Sequence, residues 1–245
     1  MNIIVQKFGG TSVANTQMLY RVSEHIIREY ENGKSVVAVV SAQGKTTNKL
    51  IEEEKKITAN PNKREHDVLV SVGEQITIAK LTMCLEELGY KAKSFTGWQI
   101  PIITDDNYSN ANIINIRTDK ITRELKAGKI VVVAGFQGVN AEGNITTLGR
   151  GGSDTTAVHL AASLNAKVCD IYTDVDGVYN EDPNNLHISK KNKKYETISY
   201  DKMIEMANNG AKVLHDKCIK TAKKHNVKIC VKSTWGDGRE GTLVE

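Results

Sequence analysis

Two uninterrupted β-branched runs limit the folds open to this chain more than any other feature. Residues 35–41 read SVVAVVS and residues 129–134 read KIVVVA. No polar side chain alternates with the apolar ones, so each run predicts a strand covered on both faces. Segments of helical periodicity lie around them. Leu19, Val22, Ile26 and Ile27 form one face of residues 17–30, and Asn32-Gly33 closes it. Further helices are predicted over 47–57, 64–88 (interrupted near Gly73), 119–127, 153–164, 200–207 and 216–225. Shorter strands are predicted over 3–6, 92–96, 100–104, 113–116, 145–148, 168–172 and 228–232, with a polar loop over 179–195. Strands alternating with helices predict an α/β fold, a mostly parallel central sheet with helices on both faces. No linker or repeat divides it, so one domain over 1–245 is expected.

Composition narrows the function classes. The chain has 33 Lys and Arg against 29 Asp and Glu, a formal charge of +4, too small and too dispersed for a nucleic-acid surface. Cys84, Cys169, Cys218 and Cys230 have neither metal nor redox spacing and sit in apolar-patterned segments, so buried thiols are expected. The opening MNIIVQKFGG is too soon interrupted for a signal peptide, and no apolar run reaches the roughly 18 residues of a membrane span. No membrane partner and a cytoplasmic address are expected.

Glycine turns carry the chemistry. Ligands of open parallel sheets sit beyond the carboxyl ends of the strands. The turns at 9–10, 44, 135–138 and 149–152 all follow predicted strands and should line that edge. The strongest is 148–156, LGRGGSDTT. A strand enters, glycines turn around Arg150, and a helix leaves, offering free amides and a helix dipole to an anion. Read as structure alone, it is a tight turn with Ser153 as N-cap. In 7–12, KFGGTS, a lysine at a strand end stands beside two glycines, a pairing that can bridge phosphate oxygens. Gly44-Lys45-Thr46 ends like a Walker A loop, but that loop needs glycine at position 39, where this chain has Val39. No G-x-G-x-x-G follows the first strand. The aspartates of 173–183, TDVDGVYNEDP, lack the spacing of a calcium loop and suit a nucleotide-gripping loop or a plain Asp/Gly turn.

Together these segments resemble aspartokinases, within the amino acid kinase family. KFGGTSV (7–13), SVGEQIT (71–77), SFTGWQ (94–99), VAGFQGVN (133–140), TTLGRGGSDTTAVHLAASLNA (146–166), YTDVDGVYNEDP (172–183) and GAKVLH (210–215) occur in the family's order and spacing across the whole chain. The resemblance implies a three-layer αβα sandwich around a roughly eight-stranded sheet. It implies transfer of the γ-phosphoryl of ATP, with Mg²⁺ held mainly by phosphates and water, to the β-carboxylate of L-aspartate. Residues 1–140 would then bind the acceptor and residues 141–245 the nucleotide. Lys7, with the amides of Gly9 and Gly10, would hold the transferring phosphoryl. Lys212 would be a second cation, and Asp154 would orient both lysines. Arg150 would grip the substrate α-carboxylate and Glu74 its ammonium, with Ser41, Thr47 and Ser153 donating nearby. Thr173, Asp174, Tyr179 and Asp182 would hold adenine and ribose. No protein-built metal site is implied. A homodimer is expected on the same ground.

The chain departs from the family in places. Asn184 replaces an arginine after Asp182-Pro183, and Gln43 replaces methionine in Ser41-Ala42-Gln43-Gly44, beside the acceptor pocket. Asp216 stands where proline is common and is expected to cap a helix. The regulatory ACT domains do not follow Gly241-Thr242-Leu243, so no feedback inhibition through this chain alone is expected, although a separate regulatory subunit would restore it. Two other readings stay open at this level. One is a relative acting on N-acetylglutamate, glutamate or a nucleoside monophosphate; Glu74 disfavours the acceptors that lack a free amine. The other is a non-catalytic binding subunit, which the presence of Lys7 and Asp154 disfavours.

Overall fold

The computed structural model describes residues 1–181, 192–211, 213–237 and 240–245. In chain order its elements are β1 (Ile3–Phe8), α1 (Thr16–Glu31), β2 (Ser35–Val40), α2 (Thr46–Ile57), α3 (Lys63–Val70), α4 (Val72–Glu87), β3 (Ala92–Phe95), β4 (Ile102–Thr104), β5 (Ile113–Ile116) and α5 (Asp119–Lys126). There follow β6 (Ile130–Ala134), β7 (Gln137–Val139), β8 (Ile145–Thr147), α6 (Gly152–Ser163), β9 (Val168–Thr173), β10 (Thr197–Ile198), α7 (Tyr200–Asn208), α8 (Asp216–His225), β11 (Lys228–Ser233) and β12 (Thr242–Val244).

Among the described residues the main sheet has eight strands in the order β10-β12-β11-β9-β1-β2-β6-β3. All its pairings are parallel except that of β11 with β12. The β-branched runs take the central places as β2 and β6. On them Val36, Ala38, Val40, Ile130, Val132 and Ala134 join the core beneath α1 and α4. Val37, Val39, Val131 and Val133 join the opposite core, which contains residues of α6, α7 and α8. Both faces are therefore dry, which is why the polar alternation of a half-exposed strand is missing. Burying each such side chain contributes about 1.5–3 kcal/mol, which fixes the register of the sheet and hence the level at which its strands end.

Helix starts follow local chemistry. Asn15 caps α1 by accepting from the Met18 amide at 3.0 Å, and Asn62 caps α3 by accepting from the Arg64 amide at 2.9 Å. The predicted break near Gly73 falls at Ser71, between α3 and α4. This stretch is apolar and long enough to cross a membrane by length and composition, but half of its most apolar window is buried in the fold.

Several sequence expectations need correction. Ser153 is not an N-cap: α6 begins at Gly152, and Gly151 occupies the cap position in the left-handed region at φ 67°, with no side-chain cap. A glycine reaches that conformation without the Cβ penalty, so the cap falls two residues earlier than the serine pattern suggests. Asp216 likewise lies inside α8, with His215 at the cap position. Cys230 is only partly buried, whereas the other three thiols are buried. The single predicted sheet is accompanied by a second one, ordered β5-β4-β7-β8. Its strand β7 follows β6 after a bend at Phe136, whose φ is 69°.

The strand order reverses direction at β1. From there the chain winds outward through β2, then returns later to lay β9 on the other side of β1. A crevice is expected at the carboxyl ends of strands around such a switch point.

Candidate active site

Two clefts open at that edge. The first, of about 290 Å³, is lined by Lys7, Gly9, Gly10, Ser41, Thr47, Glu74, Phe136 and the loop Gly149, Gly151, Gly152, Ser153 and Asp154. Five separate chain segments converge here because β1, β2 and β6 end at one level. Gly10 lies so close to the turn after β2 that a Cβ would stand 2.9 Å from the Ala42 carbonyl oxygen, and the Gly44 amide donates to the Gly10 oxygen at 2.9 Å.

Lys7 is buried, and its Nζ lies 2.6 Å from Asp154 Oδ1. The pair sits beside the first turn of α6, whose leading amides have no acceptor within the helix. The cleft thus collects an ammonium, glycine amides and a helix N-terminus, all favourable to an anion. Arg150 is solvent-exposed between Gly149 and Gly151, both of which line the cleft. It has no ion-pair partner among the described residues, so its guanidinium is available to a ligand.

Glu74 was the least expected side chain in its setting. It is 3% exposed, and its Oε1 accepts from the Ala42 amide at 2.8 Å. Its other oxygen, Oε2, is buried with no hydrogen-bond partner. Burial pushes its pKa up from 4.5 to about 7, against the smaller opposing effect of the Ala42 hydrogen bond. A carboxylate held this way at a cleft wall favours a cationic guest, which would supply the missing partner. Gln43 does not line this cleft. Its amide donates to the Val13 oxygen at 2.7 Å and its carbonyl accepts from Lys80 at 2.9 Å, so it ties neighbouring loops together.

The second cleft, of about 760 Å³, begins at the end of β9. Asp174, Val175, Gly177, Val178, Tyr179 and Asn180 form one wall, and Lys202, Glu205, Met206 and Ala211 lie opposite. Thr173 donates to Asp174 Oδ1 at 3.0 Å, and the Tyr179 hydroxyl donates to Asp176 Oδ1 at 2.9 Å. Lys194 reaches Asp176 Oδ2 at 3.2 Å, and an isolated antiparallel bridge joins Tyr179 to Lys194. Because β9 pairs with β1, this cleft and the Lys7 cleft open from adjacent strand ends. Lys212, Asp182 and Asn184 lie outside the described residues, although Ala211 and Val213 both line the larger cleft.

Two contributors were not recognised in the sequence. Phe136 lines the smaller cleft. Asp67 is fully buried in α3 and accepts from the Ser109 amide (2.9 Å) and hydroxyl (3.0 Å) and from the Thr147 amide (2.8 Å) and hydroxyl (2.8 Å). It thereby anchors β8 two residues before Gly149 and braces the glycine loop. The signal was present: Asp67, Val70, Glu74, Ile78, Leu81 and Leu85 follow one another at spacings of three and four, so both acids share the buried face of their helices.

The model of the amino acid kinase family matches residues 2–233. The chain belongs to the amino acid kinase family. The chain is 53% identical over its full length to an aspartokinase of Bacillus sp. (strain MGA3), of which it spans 59%. It resembles a crystal structure of aspartate kinase from Synechocystis with a TM-score of 0.86 at 44% identity, covering 98% of this chain and 39% of that one. The E. coli aspartokinase III structure in complex with aspartate and ADP matches with a TM-score of 0.86 at 28% identity, covering 99% of this chain and 64% of that one.

Proposed function

We propose that this kinase transfers the γ-phosphoryl of ATP to the β-carboxylate of L-aspartate, as the names of its relatives suggest. The observation that carries the reading is Glu74, which lines the same cleft as the Lys7–Asp154 pair and keeps one buried oxygen without a partner. A phosphoryl acceptor with an ammonium at one end and a carboxylate at the other satisfies both. Glutamate shares these groups but is longer by one methylene, and an N-acetylated acceptor has no cation for Glu74.

The chemistry needs little beyond placement. A β-carboxylate of ordinary pKa is ionised at pH 7 and attacks without a general base. The barrier lies in bringing an anion to a polyanion, so catalysis is charge neutralisation and in-line alignment. Lys7 and the amides of Gly9 and Gly10 receive the transferring phosphoryl oxygens. Asp154 holds Lys7 aimed, and Arg150 takes the α-carboxylate in a two-point contact. Ser41, Thr47 and Ser153 offer hydroxyls along the path, and Lys212 is assigned to the nucleotide phosphates. Thr173, Asp174, Tyr179 and Asp182 are assigned to adenine and ribose. Residues 1–140 thus serve mainly the acceptor and 141–245 mainly the nucleotide. Mg²⁺ is assigned to the nucleotide, where phosphate and water would hold it and its charge would offset that of the phosphates. A cytoplasmic address is part of the same reading.

An acceptor panel in a coupled ADP-release assay tests the proposal. L-Aspartate should turn over far faster than L-glutamate, N-acetyl-L-aspartate or uridine monophosphate. Aspartate turnover no better than that of glutamate would overturn it.

A further inference from the structure

We propose that a third cleft, between α6, α8 and the loop 110–113, binds a small phosphorylated anion. The cleft measures about 570 Å³, and Lys217, Lys220, Lys224, His159, His215 and His225 all line it. None of these residues belongs to the two clefts at the strand ends.

The acids facing this space do not neutralise it. Asp216 is engaged by Lys220 at 2.6 Å and by His215 Nδ1 at 3.0 Å. Asp105 lies near enough to Lys217 to favour its charged form, but its oxygens accept from the Asn112 amide (2.9 Å) and side chain (2.7 Å). Lys224 has no hydrogen-bond or ion-pair partner among the described residues. Helix electrostatics explain only part of this pattern. Lys224 and His225, in the last turn of α8, suit the negative end of its dipole. Lys217 sits in the first turn, where a cation is disfavoured, and burial lowers its pKa. It remains within reach of the cleft by donating to the Ala111 carbonyl at 3.0 Å.

The ring centroids of His159 and His225 lie 5.8 Å apart. Burial first, then the charges of His225, Lys217 and Lys224, push the His159 pKa down to about 4. The site thus sets the His159 imidazole among lysines, and compact ammonium charges suit phosphate oxygens. It also forms the back wall of the glycine loop, since a Cβ on Gly151 would stand 2.5 Å from His215 Cβ.

The test is a titration of the full chain with inorganic pyrophosphate at pH 7, with ADP present at saturation, followed by histidine ring NMR. The His159 and His225 resonances should shift saturably, and the pH midpoint of His159 should rise in the bound state. The double variant Lys220→Gln/Lys224→Gln removes two exposed charges and should weaken binding about tenfold or more with its melting transition retained. Lys7→Ala should leave these shifts intact. Malonate, a dicarboxylate, should bind much more weakly. Loss of the shifts in Lys7→Ala, an unchanged affinity in the double variant, or equal binding of malonate would each overturn the proposal.

Discussion

Replacing Glu74 by glutamine should make the unliganded protein more stable at neutral pH and, at the same time, impair its use of aspartate. Burial raises the Glu74 pKa from 4.5 to about 7. Each unit corresponds to about 1.4 kcal/mol, so ionised Glu74 penalises the folded state by about 3 kcal/mol. The sign follows from proton counting. Between pH 4.5 and 7 the folded state holds a proton that the unfolded state has released, so stability falls as pH rises through that window. Below it the penalty is absent, and above it the penalty is complete. Glu74→Gln keeps an oxygen to accept from the Ala42 amide but carries no charge. Denaturant unfolding from pH 4.5 to 8 should show wild-type stability declining by up to about 3 kcal/mol more than that of the variant. At about 2–4 °C per kcal/mol for a chain of this size, the variant should melt several degrees higher at pH 7.5 and at nearly the same temperature at pH 4.5. L-Aspartate should recover the difference, because its ammonium supplies the missing partner in the wild type only. Parallel pH profiles, or equal stabilisation of both proteins by aspartate, would refute the reasoning.

Other substitutions probe the remaining parts of the site. Lys7→Ala should lower turnover by about 10²–10³ while changing ADP affinity much less, as measured by steady-state rates and calorimetry. Arg150→Ala should raise the KM for aspartate with little effect on ATP, which an initial-rate grid separates. Gly151→Ala places a Cβ at φ 67° and against His215, so it should cost about 1–2 kcal/mol from the backbone alone and more from the clash, seen as a lower melting temperature and lower activity together. Asp67→Asn retains one acceptor oxygen where four hydrogen bonds now converge, and should destabilise by about 2 kcal/mol or more in urea unfolding.

The central strands were legible because apolar runs without alternation have one physical meaning, burial on both faces. The glycine turns were legible because each follows a strand in a parallel-sheet pattern, whose ligands sit beyond the strand ends, and the structure brings positions 7, 9, 10, 149, 151, 152 and 154 to one cleft. The second sheet was not legible as a sheet. Three of its strands were predicted, over 100–104, 113–116 and 145–148, but β7 was read as part of a glycine turn, being only three residues long with no periodicity to mark it. The short strands β10 and β12 were missed for the same reason. Ser153 misled because serine before a helix usually caps it, whereas here a left-handed glycine takes that position two residues earlier. Asp67 looked like an ordinary helix acid, and Glu74 was singled out by the family resemblance alone, although their spacing from Ile78, Leu81 and Leu85 already placed both on the buried face.

A crystal structure of this chain with ADP and L-aspartate tests the central claim most directly. The account predicts the aspartate ammonium against Glu74 Oε2, its α-carboxylate on Arg150, and its β-carboxylate directed past Lys7 toward the diphosphate in the neighbouring cleft. Aspartate bound elsewhere, or Lys7 and Arg150 remaining on opposite sides of the molecule from the two ligands, would contradict it.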